Sequence, residues 1–168
     1  MSVIDIRPLE WEALLCCFLS GLIIGLERQL RGKPVGMRTS ALICIGTYVF
    51  IAMTRHVSND VTDPSRIIGQ VVTGIGFLGA GVILARQGAI VGVTSASAIW
   101  VLAAIGVVIG VGFPWLGVKL AVLTVLILGG VDFVEGRFGS LQKGVHVRLG
   151  KKHTRESGKP LRPTSDSQ

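Results

Sequence analysis

The sequence predicts an all-α protein: a polytopic membrane bundle of about five transmembrane helices, with its N-terminus outside and its C-terminus in the cytoplasm. Hydrophobic residues make up 49% of the 168 residues, charged residues only 16%, and the mean hydropathy is +0.63. A soluble domain carries roughly 25% charged residues. Residues 67–118 contain a single charge, Arg86. These observations exclude an ordinary soluble enzyme, a disulfide scaffold and a disordered chain.

Five apolar segments are close in length to the ~20 residues that a helix needs to cross the hydrocarbon layer. Pro114 ends the fourth segment, and Lys119 in the fifth can extend to the interface. The start of the chain lacks the positive charge and the small-residue cleavage site of a secretory signal, so the first segment is interpreted as a retained span. The spans form one transmembrane domain, residues 1–134, and are placed at 9–26, 39–54, 67–85, 94–113 and 115–134.

The basic residues set the predicted orientation. The loop 27–38 and the tail 135–168 are both rich in Lys and Arg, which favours a cytoplasmic position for each. This arrangement leaves few basic residues outside: Arg7, Arg55, Arg66 and Lys119. The cations lie in loops and in the tail rather than across a folded face, so the predicted partner is the lipid bilayer and not nucleic acid. From about residue 150 the tail is expected to be disordered.

Glycines recur at the spacings of close helix contacts. The pairs Gly21/Gly25 and Gly106/Gly110 have the small-xxx-small spacing that lets membrane helices approach closely. The third span carries five more glycines within thirteen positions: Gly69, Gly74, Gly76, Gly79 and Gly81. The pattern predicts a tightly packed bundle and makes a homo-oligomer a candidate assembly.

Charged residues flank the predicted cytoplasmic edge. Glu27 and Arg28 end the first span, and Arg38 and Thr39 open the second at the same depth. Glu27 is therefore expected to meet Arg38 across the helical hairpin. Two interpretations remain open: an ion pair that fixes the hairpin, or a functional group.

A second set of polar residues lies deeper in the membrane. Arg66, Gln70 and Thr73 are spaced i, i+4 and i+7 and share one face of the third span. The fourth span begins with Thr94, Ser95 and Ser97, and Trp100 follows. We expect these residues to face each other in a polar seam between spans three and four. Hydrogen bonds that hold the helices together are the alternative, and Thr94 alone is a candidate helix cap.

Soluble chemistry has little support in the sequence. Neither a catalytic triad nor a metal cluster is predicted, because the histidines are scattered through a loop and the tail. Cys16, Cys17 and Cys44 lie in apolar segments and are expected to pack as small hydrophobes. The match to G-x-G-x-x-G at 74–79 lies mid-span without the strand and the acidic residue of a dinucleotide site, so no cofactor is predicted.

Three ordered motifs resemble the signatures of the MgtC/SapB family of bacterial membrane proteins. The first joins Gly-Leu-Glu-Arg-Gln at 25–29 to Gly-Met-Arg-Thr-Ser-Ala-Leu at 36–42. The second is the glycine-rich segment 66–81, and the third is Gly-Val-Thr-Ser-Ala-Ser-Ala-Ile-Trp at 92–100, followed by Ala-Ala-Ile-Gly at 103–106. The resemblance covers about residues 10–134. Ser40 departs from the His often found at that place in the family.

The resemblance implies a multi-pass bacterial inner-membrane protein linked to magnesium limitation and, in pathogens, to survival inside macrophages. Better-known members are thought to restrain the membrane ATP synthase. Members with that role usually carry a cytoplasmic C-terminal domain of the ACT type, and this sequence resembles a short form without it. The implied function is a non-enzymatic regulator of membrane or ion homeostasis that binds a membrane partner. The alternative is a small-ion transporter or channel for Mg²⁺, for which Glu27 is the deepest acid in a span.

Overall fold

A computed structural model describes residues 6, 8–57, 64–86 and 89–137 of the chain. The chain divides into two units, Met1–Gly129 and Gly130–Gln168, and the second is represented here by the last turns of the fifth helix. The predicted all-α class is confirmed: the described residues form five helices, namely α1 Trp11–Leu30, α2 Met37–Val57, α3 Pro64–Ala80, α4 Val93–Gly110 and α5 Pro114–Arg137. The expected disorder from about residue 150 lies outside the described residues.

Three of the helices are long and apolar enough to cross a bilayer. They are Trp11–Leu30, Met37–Thr54 and Val93–Gly110, each with a charge-poor window of 18 residues. Two shorter apolar helices, Ser65–Ala80 and Pro114–Gly130, overlap the third and fifth predicted spans. The protein is therefore a membrane bundle, and the crossing of all five segments stays a prediction.

The third helix ends five residues earlier than the predicted span. After Ala80 the chain turns into an antiparallel hairpin of two strands, β1 Leu84–Arg86 and β2 Ala89–Val91, paired in the register Leu84↔Val91. Gly92 closes this connection at φ +95°, where a Cβ atom would lie 2.0 Å from the Val82 carbonyl oxygen. Only glycine fits such a position. An alternating pattern cannot reveal strands of three residues. The apolar residues 81–85 were therefore assigned to the third predicted span instead.

The core lies between α1, α2 and α4, which form the closely packed part of the bundle. Its centre is filled by small and branched side chains, and all three cysteines are buried in it without a disulfide. Tyr48 of α2 is also buried. The Ala121 side chain of α5 completes the cluster, whose largest fully buried side chains are Ile24, Leu102, Ile105 and Ile109.

The predicted packing glycines fall into two groups. A Cβ atom on Gly21 or Gly25 would lie 2.4–2.5 Å from the α2 backbone at Ala41 or Met37, and one on Gly106 would lie 2.6 Å from the Cys44 carbonyl oxygen. Gly110 meets Ile51 at a similar distance. These four glycines therefore permit the close helix contacts of the core.

The glycines of α3 do not share that role. A Cβ atom on Gly69, Gly74 or Gly76 would have no neighbour within 4 Å, and one on Gly79 would make an ordinary contact of 3.6 Å with the Ala96 carbonyl oxygen. Gly81 lies in the turn after the helix. Within the described residues the α3 glycines therefore make no tight helix contact, because α3 packs less closely than α1, α2 and α4; their role in packing against a further helix stays a prediction.

Candidate functional site

Glu27 pairs within its own helix rather than across the hairpin. Its Oε1 atom lies 2.8 Å from Arg31 Nε, at the i, i+4 spacing that brings two side chains together on one face. Arg38, the expected partner, is exposed at the start of α2 and has no ion pair among the described residues. The Glu27 side chain is only 9% exposed, and its Oε2 atom is buried without a hydrogen-bond partner in the described part of the chain.

Arg28 joins α1 to two other parts of the bundle. The residue is only 3% exposed, and its Nη2 atom donates a hydrogen bond to Ser95 Oγ in the first turn of α4. Its Nε atom donates to the Pro34 carbonyl oxygen, 3.4 Å away in the α1–α2 loop. Sequence reasoning placed Arg28 and Ser95 in separate sets. The predicted topology held a clue to the pair, because it puts the end of α1 and the start of α4 on the same side.

The α1–α2 loop is fixed at several further points. Arg31 extends its Nη1 atom to the Leu128 carbonyl oxygen of α5, 3.4 Å away, a contact that the sequence did not reveal. Ser40 Oγ donates to the Val35 carbonyl oxygen at 3.2 Å. Val35 itself has φ +69°, a left-handed conformation that a β-branched residue rarely adopts. The basic edge of the bundle is therefore an ordered structure built from α1, its following loop, α4 and α5.

The structure does not gather the predicted polar seam into one cleft. Successive helical residues are about 100° apart, so Thr94, Ser95 and Ser97 point in different directions. Ser95 bonds to Arg28, Thr94 is exposed, and Gly92 rather than Thr94 occupies the N-cap position. Ser97 Oγ donates to the Val93 carbonyl oxygen of its own helix at 3.0 Å.

The α3 members of that set are dispersed as well. Thr73 Oγ1 donates to the Gly69 carbonyl oxygen at 2.9 Å, within α3, and Arg66 is exposed. Gln70 lines a space toward α2. A smaller cleft of about 300 Å³ does lie between α3 and α4, and Trp100 and Ser97 line it opposite Gly76 and Gly79.

An apolar groove lies between α2 and α3, and we call it the α2/α3 groove. Its volume is about 630 Å³, within the range of small-molecule sites. Sequence reasoning missed it, because the space between two helices depends on their separation and not on the pattern of either one. The groove is lined by Thr39, Leu42, Ile43, Gly46, Thr47 and Phe50 from α2, and by Ile67, Gln70, Val71, Gly74, Ile75 and Leu78 from α3.

A different side of α3 carries small residues that are exposed. Gly69, Thr73, Gly76 and Ala80 are spaced i, i+4, i+7 and i+11, and all four are exposed beside Phe77. Phe77 is the most exposed large hydrophobic residue described, at 83%. We call these five residues the outer face of α3; two of them, Gly76 and Ala80, also border the cleft toward Trp100 of α4. It offers backbone surface that a neighbouring helix can approach closely.

Hydrogen bonds also fix the opposite end of α1. The Glu10 backbone amide donates to Tyr48 Oη at 2.9 Å, which ties the start of α1 to α2. Trp115 Nε1 donates to Glu12 Oε1 at 2.8 Å, which ties the same turn to the start of α5. Across residues 6, 8–57, 64–86 and 89–137, no group of three or more His, Cys, Asp or Glu side chains is placed to hold a metal ion.

These features define a class of protein: a polytopic α-helical membrane protein, with apolar helices and an ordered, charged edge. The MgtC family model matches residues 14–137, which is most of the chain. The chain belongs to the MgtC family. The resemblance found in the three sequence motifs is thereby confirmed.

Named relatives agree with this assignment. The chain is 47% identical over 133 residues to the Escherichia coli K12 protein named "Putative magnesium transporter YhiD", covering 75% of this chain and 61% of that protein. It is 37% identical to Protein SrpB of Synechococcus elongatus, covering 77% of this chain and 81% of SrpB. It is 41% identical to Protein MgtC of Brucella abortus, and the match covers 63% of this chain and 45% of that protein. The chain thus spans about three-fifths of YhiD and under half of that MgtC. No solved structure matches significantly.

Proposed function

We propose that this protein is a non-enzymatic regulator in the bacterial inner membrane, acting in magnesium-linked homeostasis and stress adaptation by binding another membrane protein. Membership of the MgtC family and the name of the YhiD relative support the link to magnesium. The family resemblance makes the ATP synthase the first partner to test. The outer face of α3 carries the proposal, because it combines an exposed aromatic ring with backbone open to close approach.

The contacts of the charged edge support a binding role over a transport role. Arg28 is engaged by Ser95 and Pro34, and Arg31 by Glu27 and Leu128. Such bonds hold helix ends in place, and a guanidinium, which stays protonated and has no acceptor atom, cannot be a ligand to Mg²⁺. The basic edge therefore serves as a frame that fixes α1, the α1–α2 loop, α4 and α5 to one another.

The regulator proposal is tested by reconstituting a bacterial ATP synthase in liposomes with and without this protein. We expect the protein to lower the rate of ATP-driven proton pumping, followed by quenching of a pH-sensitive dye. Gly76→Leu should restore the rate, because it places a bulky side chain on the outer face of α3. Gly130→Leu is the matched control: it also adds a side chain in open space, but on α5. Unchanged pumping with the folded wild-type protein contradicts the proposal.

One observation favours a second candidate, a small-ion transporter. Glu27 Oε2 is buried and lacks a hydrogen-bond partner within the described residues, and carboxylate oxygens are the ligands that Mg²⁺ prefers. The test is Mg²⁺ flux into liposomes that contain only this protein. Saturable flux that Glu27→Gln abolishes would support transport. Wild-type flux no greater than that of empty liposomes, or wild-type flux that Glu27→Gln leaves unchanged, would reject it and leave the regulator proposal to the pumping assay.

A further inference from the structure

The length of the α2/α3 groove limits what it holds. Along α2 the groove runs from Thr39 to Phe50. At 1.5 Å per residue this is about 17 Å, roughly half of the ~30 Å hydrocarbon core. A helix that crosses the membrane needs ~20 residues and would extend far beyond the groove. The dimensions fit one acyl chain of one leaflet.

The groove also has the surface and the space for such a chain. Its lining is apolar apart from Thr39, Thr47 and Gln70, and Thr47 is buried. Gly46 on one wall and Gly74 on the other have nothing within 4 Å of an added Cβ atom. The two missing side chains leave space between the helices for a hydrocarbon chain.

Charge distinguishes the two ends of the groove. At one end Thr39 follows the exposed Arg38, and the loop 27–38 holds four basic residues and one acidic residue. At the other end Ile67 follows Arg66, and residues 55–66 contain two basic and two acidic residues. An anionic headgroup is therefore favoured at the Arg38 end, where a guanidinium can bind two phosphate oxygens at once.

We infer that the α2/α3 groove binds one acyl chain of an anionic glycerophospholipid, whose phosphate pairs with Arg38. The site goes beyond the proposed regulatory function, since it lies on α2 and on a different side of α3 from the outer face. A bound lipid fills the space between the two helices and supports α3, which makes few close contacts there. The site selects by headgroup charge and not by the chemistry of the acyl chain.

Native mass spectrometry of the full chain, purified in detergent, tests the headgroup site. The probes are phosphatidylglycerol and phosphatidylcholine with identical acyl chains. We expect one phosphatidylglycerol to bind in preference to phosphatidylcholine. Arg38→Gln should lower this preference about fivefold, whereas Arg66→Gln, at the other end of the same groove, should leave it unchanged. Loss of the preference in Arg66→Gln alone, or equal binding of both lipids to the wild type, overturns the inference.

A pair of glycine variants on α3 tests the groove itself. Gly74→Leu places a side chain in the groove, and Gly69→Leu places the same side chain in open space outside it. We expect Gly74→Leu to lose the bound lipid and Gly69→Leu to retain it, with equal unfolding midpoints. Lipid retained by Gly74→Leu overturns the inference. So does a dimer of the chain that Gly74→Leu disrupts while lipid binding persists, because the occupant is then a second copy.

Discussion

Arg28 illustrates how a charge is accommodated in this bundle. A buried guanidinium costs several kcal/mol of desolvation unless its N–H groups find acceptors. Here the acceptors come from two other parts of the chain, Ser95 Oγ in α4 and the Pro34 carbonyl oxygen in the loop. The requirement to satisfy one side chain therefore fixes the relative positions of α1, the loop and α4.

Removing one of these acceptors should be costly. Ser95→Ala leaves a buried charged donor without its partner, and we expect the free energy of unfolding to fall by about 2 kcal/mol. Ser97→Ala, two residues away, removes only an exposed hydrogen bond to the carbonyl oxygen of Val93 in the same helix. It should change the free energy of unfolding by less than about 0.5 kcal/mol. Denaturant titration of the protein in detergent micelles measures both. Equal effects would show that the bond from Arg28 contributes no more than a local one.

At the residue scale the sequence identified the right neighbourhood but not the right pairs. Glu27, Arg28 and Ser95 were all singled out, because ionisable and hydroxyl groups at membrane depth are conspicuous. Arg38 was expected as the partner of Glu27. Glu27 instead pairs with Arg31, because residues at i, i+4 of one helix lie close together. Helix-to-helix pairs such as Arg28 with Ser95 require the separation and rotation of two helices, which a single sequence does not give.

At the scale of elements, glycine has two different uses in one bundle. On α4, Gly106 permits the contact with α2, where a Cβ atom would come within 2.7 Å of the Thr47 Cβ atom. On α3, Gly76 faces the cleft toward Trp100 and has open space around it. The spacing of glycines indicates helix surfaces that can be approached, but it does not say which of them the fold has already filled.

A matched pair of alanine variants separates the two uses. Gly106→Ala forces a methyl group against the α2 backbone, and we expect a net loss of roughly 1–3 kcal/mol in the free energy of unfolding. Gly76→Ala meets nothing and should be neutral or slightly stabilising, because alanine favours a helix over glycine. Unfolding monitored by far-UV circular dichroism compares them. A destabilised Gly76→Ala with an unaffected Gly106→Ala would contradict the packing described for α4.

Elements with long apolar sequence patterns were predicted, and elements with short patterns were not. Long apolar runs gave the five helices, with ends within a few residues of the observed ones at most boundaries. Of the hairpin Leu84–Arg86 with Ala89–Val91, only Leu84 and Ala85 fell within the third predicted span. The rest was not predicted, because three-residue strands are too short to show an alternating pattern. The α2/α3 groove had no counterpart in the sequence, since neither helix alone encodes the gap between them.

At the scale of the whole molecule, the distribution of basic residues predicts that the loop 27–38 faces the cytoplasm and that the α4–α5 connection faces outside. The structure supplies a means to test this. All three native cysteines are buried, so the wild-type protein offers a low background to thiol reagents. Single cysteines can therefore be introduced at exposed positions without first removing the native ones.

We expect a membrane-impermeant maleimide to label Val111→Cys in intact cells, because Val111 is exposed in the turn between α4 and α5. Lys33→Cys, exposed in the α1–α2 loop, should be labelled only after the membrane is permeabilised. The wild-type chain serves as the control for background labelling. The reverse pattern would invert the topology and would place the proposed lipid in the opposite leaflet.

The uneven packing of the bundle also has a kinetic consequence. Segments with few buried contacts open at a lower free energy than the core of the same protein. Helices α1, α2 and α4 share the buried core, whereas much of α3 is exposed and three of its glycines lack close neighbours. Amide hydrogen exchange should therefore proceed through α3 well before it reaches Ile24 or Leu102. The molecule combines a slow-exchanging scaffold with one helix that can rearrange while the rest stays folded.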